Sequence, residues 1–264
     1  MPVRQSTRPR TTPPLWTPPP AGTTFMRGAR PSSIRNLMMA VPFTGIVYPA
    51  QFGIVPAKLS IWGNSTYGDC VSAEEWFAKA CHTPEIFLDD ASCVAWAKSH
   101  GFLNGADLSE VMDAMAKDGP SIGGQQYLDG GHQTVDWSNE DNLRAAITQG
   151  TVKIAIDANT LPSGAGNAQG WYALGGQKGS GSDHCVALSG YGPAQYLFAL
   201  MGVPLPSAVQ PTQSGYILFT WSTCGFVDHP WLMNTCTEAH LRVPTTVGVP
   251  PIPDPVIPLD PNGW

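Results

Sequence analysis

The chain has 264 residues, enough for one large domain or two small lobes with a core able to stand alone. Only 13% of its residues are charged, while 28 Gly and 26 Pro make up about a fifth of it; this describes a globular body with rich loops and arms and excludes a low-complexity polymer. The net charge of −6 is unevenly spread, because residues 1–68 hold Arg4, Arg8, Arg10, Arg27, Arg30, Arg35 and Lys58 and no acid, leaving −13 on the remainder.

A basic arm on an acidic body suggests docking onto an acidic surface, another copy of the body among them. Nothing resembles a base-reading helix or an aromatic RNA platform, so the arginines read as a docking charge run and nucleic acid is not expected. Six cysteines are too sparse for a disulfide scaffold; the even count permits pairing but selects no connectivity. The run "NLMMAVPFTGIV" is broken by Pro42 and no stretch reaches the ~18 to 20 apolar residues of a membrane span. The expectation is a soluble protein without an export signal, cytoplasmic or part of a particle.

In chain order, residues 1–39 form a Pro/Arg-rich arm, with "RPRTTPPLWTPPPAG" and "RGARPSS" spaced too closely in proline for a helix or sheet interior. The body, 40–243, begins with a segment that crosses the surface before the first helix. That helix starts at Cys70, where Ala73, Trp76, Phe77, Ala80 and Cys81 recur as the stripe of one buried face. A second helix is predicted over 89–99, stopped at Gly101. A third starts at Asp107, where "DLSE" offers a capping box, and ends at Gly119–Pro120. A fourth runs through "NEDNLRAAITQ" to Gly150. The signal then turns to strands: "TVKIAID" (151–157), "HCVALSGY" (184–191) and "GYILFTW" (215–221) are short, apolar and rich in β formers. Helices followed by strands indicate an α+β chain, with a helical lobe at 64–150 and a β-rich lobe at 151–243. Residues 244–264, "PTTVGVPPIPDPVIPLDP" and beyond, form a second Pro-rich arm.

The chemistry concentrates in "NSTYGDC". A cysteine on the first turn of a helix sits among orphan N–H groups at the positive end of the dipole, which favour its thiolate. Gly68 lets the backbone approach a substrate closely, and Asp69 can cap the helix but opposes the thiolate with its own charge. Far downstream, "GSGSDHCVALSGYG" places His184 at the mouth of an apolar strand, where a distant base can reach a thiol across the fold. Cys185 points to the opposite face, into the core. The other histidines and cysteines match no tight zinc spacing, and the glycines of "GYGPAQ" and "GGQKGSGS" lack the context of a phosphate loop, so neither metal nor cofactor is expected.

The order "N-x5-C" opening a helix, then "DHCVALSGYG", then "GYILFTW", resembles the papain-like cysteine peptidase family over about residues 55–243. More narrowly, "WGNSTYGDC" with "TWSTCGF" is similar to papain-like proteins of bacteria and their phages. The resemblance implies a two-lobed fold with Cys70 as nucleophile, His184 as its base, and the Asn64 amide with the Cys70 N–H facing an oxyanion. Asn64 stands where the family has glutamine. Where the family places an Asn or Asp to hold the histidine, this chain has Phe219, Thr220, Trp221 and Ser222, with only hydroxyls to offer. Two functions follow: a cysteine hydrolase acting on peptides or amides through an acyl-enzyme, or a papain-fold subunit of a larger assembly such as a phage virion, using residues 1–39 and 244–264 for contacts with copies or partners.

Overall fold

The computed structural model describes residues 16–32, 46–176, 178–243 and 245–248. The expected polyproline character of the two arms therefore falls largely outside the described residues. Within them the chain opens with a two-residue strand, β1 (Ala29–Arg30), and another, β2 (Phe52–Gly53), before the first long helix, α1 (Cys70–Ala80). Next come α2 (Asp90–Ser99), β3 (Ala106–Asp107) and α3 (Leu108–Lys117). Asp89 caps α2 by accepting from Ser92 N, and Asp107 caps α3 by accepting from Ser109 N and Glu110 N. The predicted starts of these helices thus hold to within a residue.

Three short strands follow, β4 (Ser121–Ile122), β5 (Gln125–Leu128) and β6 (His132–Thr134), and then α4 (Glu140–Gln149), capped by the Asn139 side chain. The main strands are β7 (Val152–Ile156), β8 (Trp171–Ala173) and β9 (His184–Pro193); α5 (Ala194–Met201) leaves β9 directly. The chain continues through β10 (Ser214–Thr220), β11 (Thr223–Val227), α6 (His229–Thr235), β12 (Cys236–Arg242) and β13 (Thr246–Gly248).

The large sheet runs β6-β12-β7-β9-β10-β11-β8, antiparallel except for the β11–β8 pair, with β2 added to the far end of β9. β9 is central, and its sequence shows why it reads as one unbroken apolar run. Cys185 and Ala187 pack into one hydrophobic cluster with α1, α2 and α3, while Val186 and Leu188 pack into a second with α4 and α6. β10 divides the same way, Ile217 and Phe219 to the first cluster and Tyr216 and Leu218 to the second. Both faces of the strand pair are covered, so period-two alternation sorts residues between two cores rather than between core and water.

This packing places α4 against the far face of the sheet through Leu143, Ala146 and Ile147. A lobe boundary at residue 150 would separate that helix from its own core. The single buried stripe expected for α1 is also exceeded, because Glu74, Glu75 and Lys79 are buried as well. Their charges are met by Lys153 on β7, Arg242 on β12, and Asp129. Lys153 Nζ pairs with Glu75, lies 3.2 Å from Glu74, and donates to Val71 O at 3.0 Å. Lys79 bonds Asp129 at 3.0 Å, and Arg242 pairs with both glutamates. Three cations answer three anions, the condition under which charges tolerate burial.

Candidate functional site

Cys70 begins α1 in the middle of the molecule, 2% exposed. The N–H of Cys185 donates to its sulfur at 3.4 Å, so the thiol lies against the first peptides of β9, the strand that begins with His184. The two segments predicted to meet are therefore brought together. The thiol is pushed up to about 12, chiefly by burial, with hydrogen bonds from the Cys185 and Gly28 backbone pulling the other way.

His184 is fully buried. Its Nε2 shares a hydrogen bond with Thr220 Oγ1 at 2.8 Å, while Nδ1 has no hydrogen-bond partner among the described residues, the Cys70 sulfur included. With Nε2–H donating to the hydroxyl, Nδ1 is left as an acceptor, the tautomer a base toward a thiol requires. Burial pulls the imidazole down to about 3. Trp221 stacks on the ring at 4.6 Å and 24°, held there by a backbone at φ +51°, in the left-handed region that L residues rarely adopt. Of the two hydroxyls the sequence offered near this ring, Thr220 is the one engaged; Ser222 Oγ has no partner.

Asn64 is 1% exposed, and its amide faces its own loop, donating to Tyr67 O at 3.0 Å and to Asp69 Oδ1 at 3.4 Å. In this arrangement its N–H groups are not turned to the sulfur. Asp69 occupies the N-cap position of α1 but makes no side-chain cap. Its Oδ2 is buried without a partner, and burial raises the acid to about 7. Below neutrality it is therefore largely uncharged, and its expected opposition to a thiolate at Cys70 is reduced. All six cysteines are free and buried.

A strap from the N-terminal arm lies over this group. Met26 N bonds Asn64 O at 2.9 Å, Gly28 N and Ala29 N both bond Asp183 O, and Ala106 N bonds Gly28 O at 2.8 Å. β1 pairs in parallel with β3 through Ala29 and Ala106. Trp221 Nε1 donates to Met26 O at 3.0 Å and Phe25 packs on the same indole at 4.9 Å. Arg27 donates to Asp183 Oδ2 at 2.8 Å and to Asn159 Oδ1 at 3.0 Å. Ser32 ends the strap in a buried corner, its hydroxyl 2.9 Å from Glu238 Oε1 and 2.8 Å from Asp107 Oδ1. The hydroxyl donates toward both carboxyls, and burial raises Glu238. Sequence reasoning placed the arm on an acidic surface without finding this path; the signal available was "RGAR", a glycine between two cations.

The chain has a papain-like fold. Solved structures with similar architecture include the Amb a 11 cysteine protease, a ragweed pollen allergen, in its proform: 13% identity, TM-score 0.55, covering 78% of this chain and 70% of that one. They also include procathepsin L 3 of the Tenebrio molitor larval midgut, with 14% identity and TM-score 0.54 over 84% and 76% of the two chains. A recombinant stem bromelain precursor matches at 11% identity and TM-score 0.53 over 84% and 78%. No protein-family model and no curated protein matches the sequence.

Proposed function

We propose that the chain is a cysteine hydrolase, a peptidase or amidase, in a form closed by its own N-terminal strap. The observation that supports this reading is the seating of the Cys70 sulfur against the first peptides of β9, the strand that begins with His184, whose Nδ1 is free to accept. In the closed form the thiol and the imidazole are both neutral, because nothing solvates their ions. Lifting the strap admits water and a substrate, lowers the desolvation of both groups, and permits the Cys70 proton to pass to His184. The thiolate then attacks a carbonyl carbon, and the oxyanion forms at the helix start beside the Cys70 N–H, with Asn64 turning one N–H from its loop to assist. Collapse expels an amine that takes the His184 proton, and a water activated by the same imidazole cleaves the acyl-enzyme. Three of the similar structures are a proform, a procathepsin and a precursor, in keeping with a closed form here.

The burial of both groups also favours a second reading, a papain-fold subunit of a larger assembly, a phage particle among them, that holds the site shut permanently and uses its arms for contacts. Alkylation with iodoacetamide from about pH 4 upward, mapped by mass spectrometry, separates the two. In the full chain Cys70 stays unmodified. In a variant lacking residues 1–32 it becomes the fastest of the six cysteines, reacting well below the ordinary thiol range. If Cys70 then reacts no faster than Cys81 or Cys93, the hydrolase reading falls and the structural one replaces it.

A further inference from the structure

The strap is a peptide seated in the cleft, and its contacts state what the cleft accepts. Gly28 crosses directly above Gly68: a Cβ on Gly28 would lie 1.7 Å from the Gly68 carbonyl oxygen and 2.5 Å from its carbon. Both atoms belong to the backbone of the loop that sets Cys70, so neither can swing aside. Gly105 closes the other side, where its own Cβ would meet Gly28 O at 2.6 Å. Three backbones are thus packed face to face at the thiol, and only a residue without a side chain passes between them at this separation.

The preceding residue meets a corner of opposite charge. Asp183 is held before any guest arrives, because its Oδ1 accepts from Ala158 N at 2.9 Å; its Oδ2 and the Asn159 side-chain oxygen Oδ1 then receive the Arg27 guanidinium. The Asp183 main-chain oxygen takes the N–H groups of Gly28 and Ala29. One residue, next to His184, reads both the backbone and the charge of the occupant.

We infer that the cleft selects extended peptides with a glycine at the point facing Gly68 and Gly105 and a cationic residue just before it, bound by Asp183 and Asn159. The inference rests on the hydrolase reading, and protection of Cys70 by peptides is read separately from their cleavage. The glycine requirement is the strong part, since it is steric; the ion pair is partly exposed and contributes a severalfold preference.

The experiment uses full-length protein carrying Gly28→Ala, in which the strap cannot seat, with blocked hexapeptides as probes. Cys70 in this variant is expected to alkylate at least tenfold faster than in the wild type. The peptide Phe-Met-Arg-Gly-Ala-Arg is expected to slow that reaction at least fivefold, at a concentration where its Gly-to-Ala analogue gives no protection. Replacing its first arginine by glutamate weakens protection severalfold, and adding Asp183→Asn to the protein abolishes that difference. Arg27→Glu in the otherwise wild-type chain gives an independent way to loosen the strap, with the same readouts. Equal protection by the glycine and alanine peptides, or equal alkylation of Gly28→Ala and wild type, overturns the inference. If the glycine peptide protects Cys70 selectively but neither it nor any other peptide is cut, the selection stands and the hydrolase reading fails; if peptides are cut without regard to glycine, the reverse holds.

Discussion

At the scale of single residues, the site turns on Thr220. The Thr220 hydroxyl bonded to His184 Nε2 orients the ring, but unlike a carboxylate it can donate as well as accept, and on the hydrolase reading a neutral oxygen gives less help to the imidazolium of proton transfer. The indole of Trp221 stacks on the same ring and holds it from its face. If the proposed hydrolysis is detected in strap-displaced protein, Thr220→Val is expected to lower kcat by roughly 10- to 100-fold with little change in KM, while Thr220→Ser restores most of it. The pH–rate profile should shift with Val and not with Ser. A Val variant as active as the parent would mean that the ring is held by packing alone. Sequence exposed Thr220 only as one of two candidate hydroxyls. Which one meets the ring depends on the turn between β10 and β11, where Trp221 takes its left-handed backbone.

At the scale of elements, α1 is the least expected part of the molecule. Its apolar stripe was legible from spacing, but a helix buried all round must place Glu74, Glu75 and Lys79 somewhere, and the partners that make this tolerable come from β7, β12 and the Asp129 loop. Removing one member leaves its partners charged and dry. Lys153→Met is expected to destabilise the protein by about 3 to 5 kcal/mol in urea unfolding followed by tryptophan fluorescence. Adding Glu75→Leu, which removes the stranded carboxylate, recovers most of the loss. A single variant within about 1 kcal/mol of the parent would show that the network is dispensable. The strands present the opposite case. β7, β9 and β10 were recognisable because runs of Val, Ile, Leu and Phe had no helical period. α5, α6 and β12 were not read from the sequence: α5 follows β9 without a loop, and β12, "CTEAHLR", carries a Glu, a His and an Arg in a strand that is almost wholly buried.

For the whole molecule, two buried histidines tie stability to pH. His184 and His240 are both pulled down to about 3 by burial, and His240 has neither ring nitrogen bonded. Its surroundings are His132 on β6, which lowers it further, Glu238 Oε1 at 4.0 Å on its own strand, and the Lys153 and Arg242 cations. A folded-state value below that of the unfolded chain means that folding excludes protons. The stabilising contribution is complete above about pH 6.5 and falls as the pH drops toward 3. Asp69 acts oppositely, since its raised value lets the folded state hold a proton and favours the fold progressively as pH falls from about 7 to 4. The two histidines thus contribute a loss of stability between pH 6.5 and 5, offset in part by Asp69 and by the raised Glu238. His240→Gln is expected to remove about 2 kcal/mol of that loss, and Asp69→Asn to deepen it, as measured by urea midpoints at the two pH values. Parallel curves for His240→Gln and wild type would sink the assignment.

Residue order alone determined the α+β class, the four first helices, the three central strands, and the approach of the helix that starts at Cys70 to the strand that starts at His184. These features rest on local periodicity and caps, and on motif spacings that need no partner to be read. Tertiary structure decided what covers the site. The strap crosses the thiol through backbone hydrogen bonds to Asn64, Asp183 and Ala106 and through the close passage of Gly28 over Gly68. Backbone groups are the same at every position, so nothing in the letters distinguishes a segment that will lie in a cleft from one that will not. Whether Cys70 meets solvent depends on contacts between chain segments about 40 to 155 residues apart, and only the folded arrangement contains them.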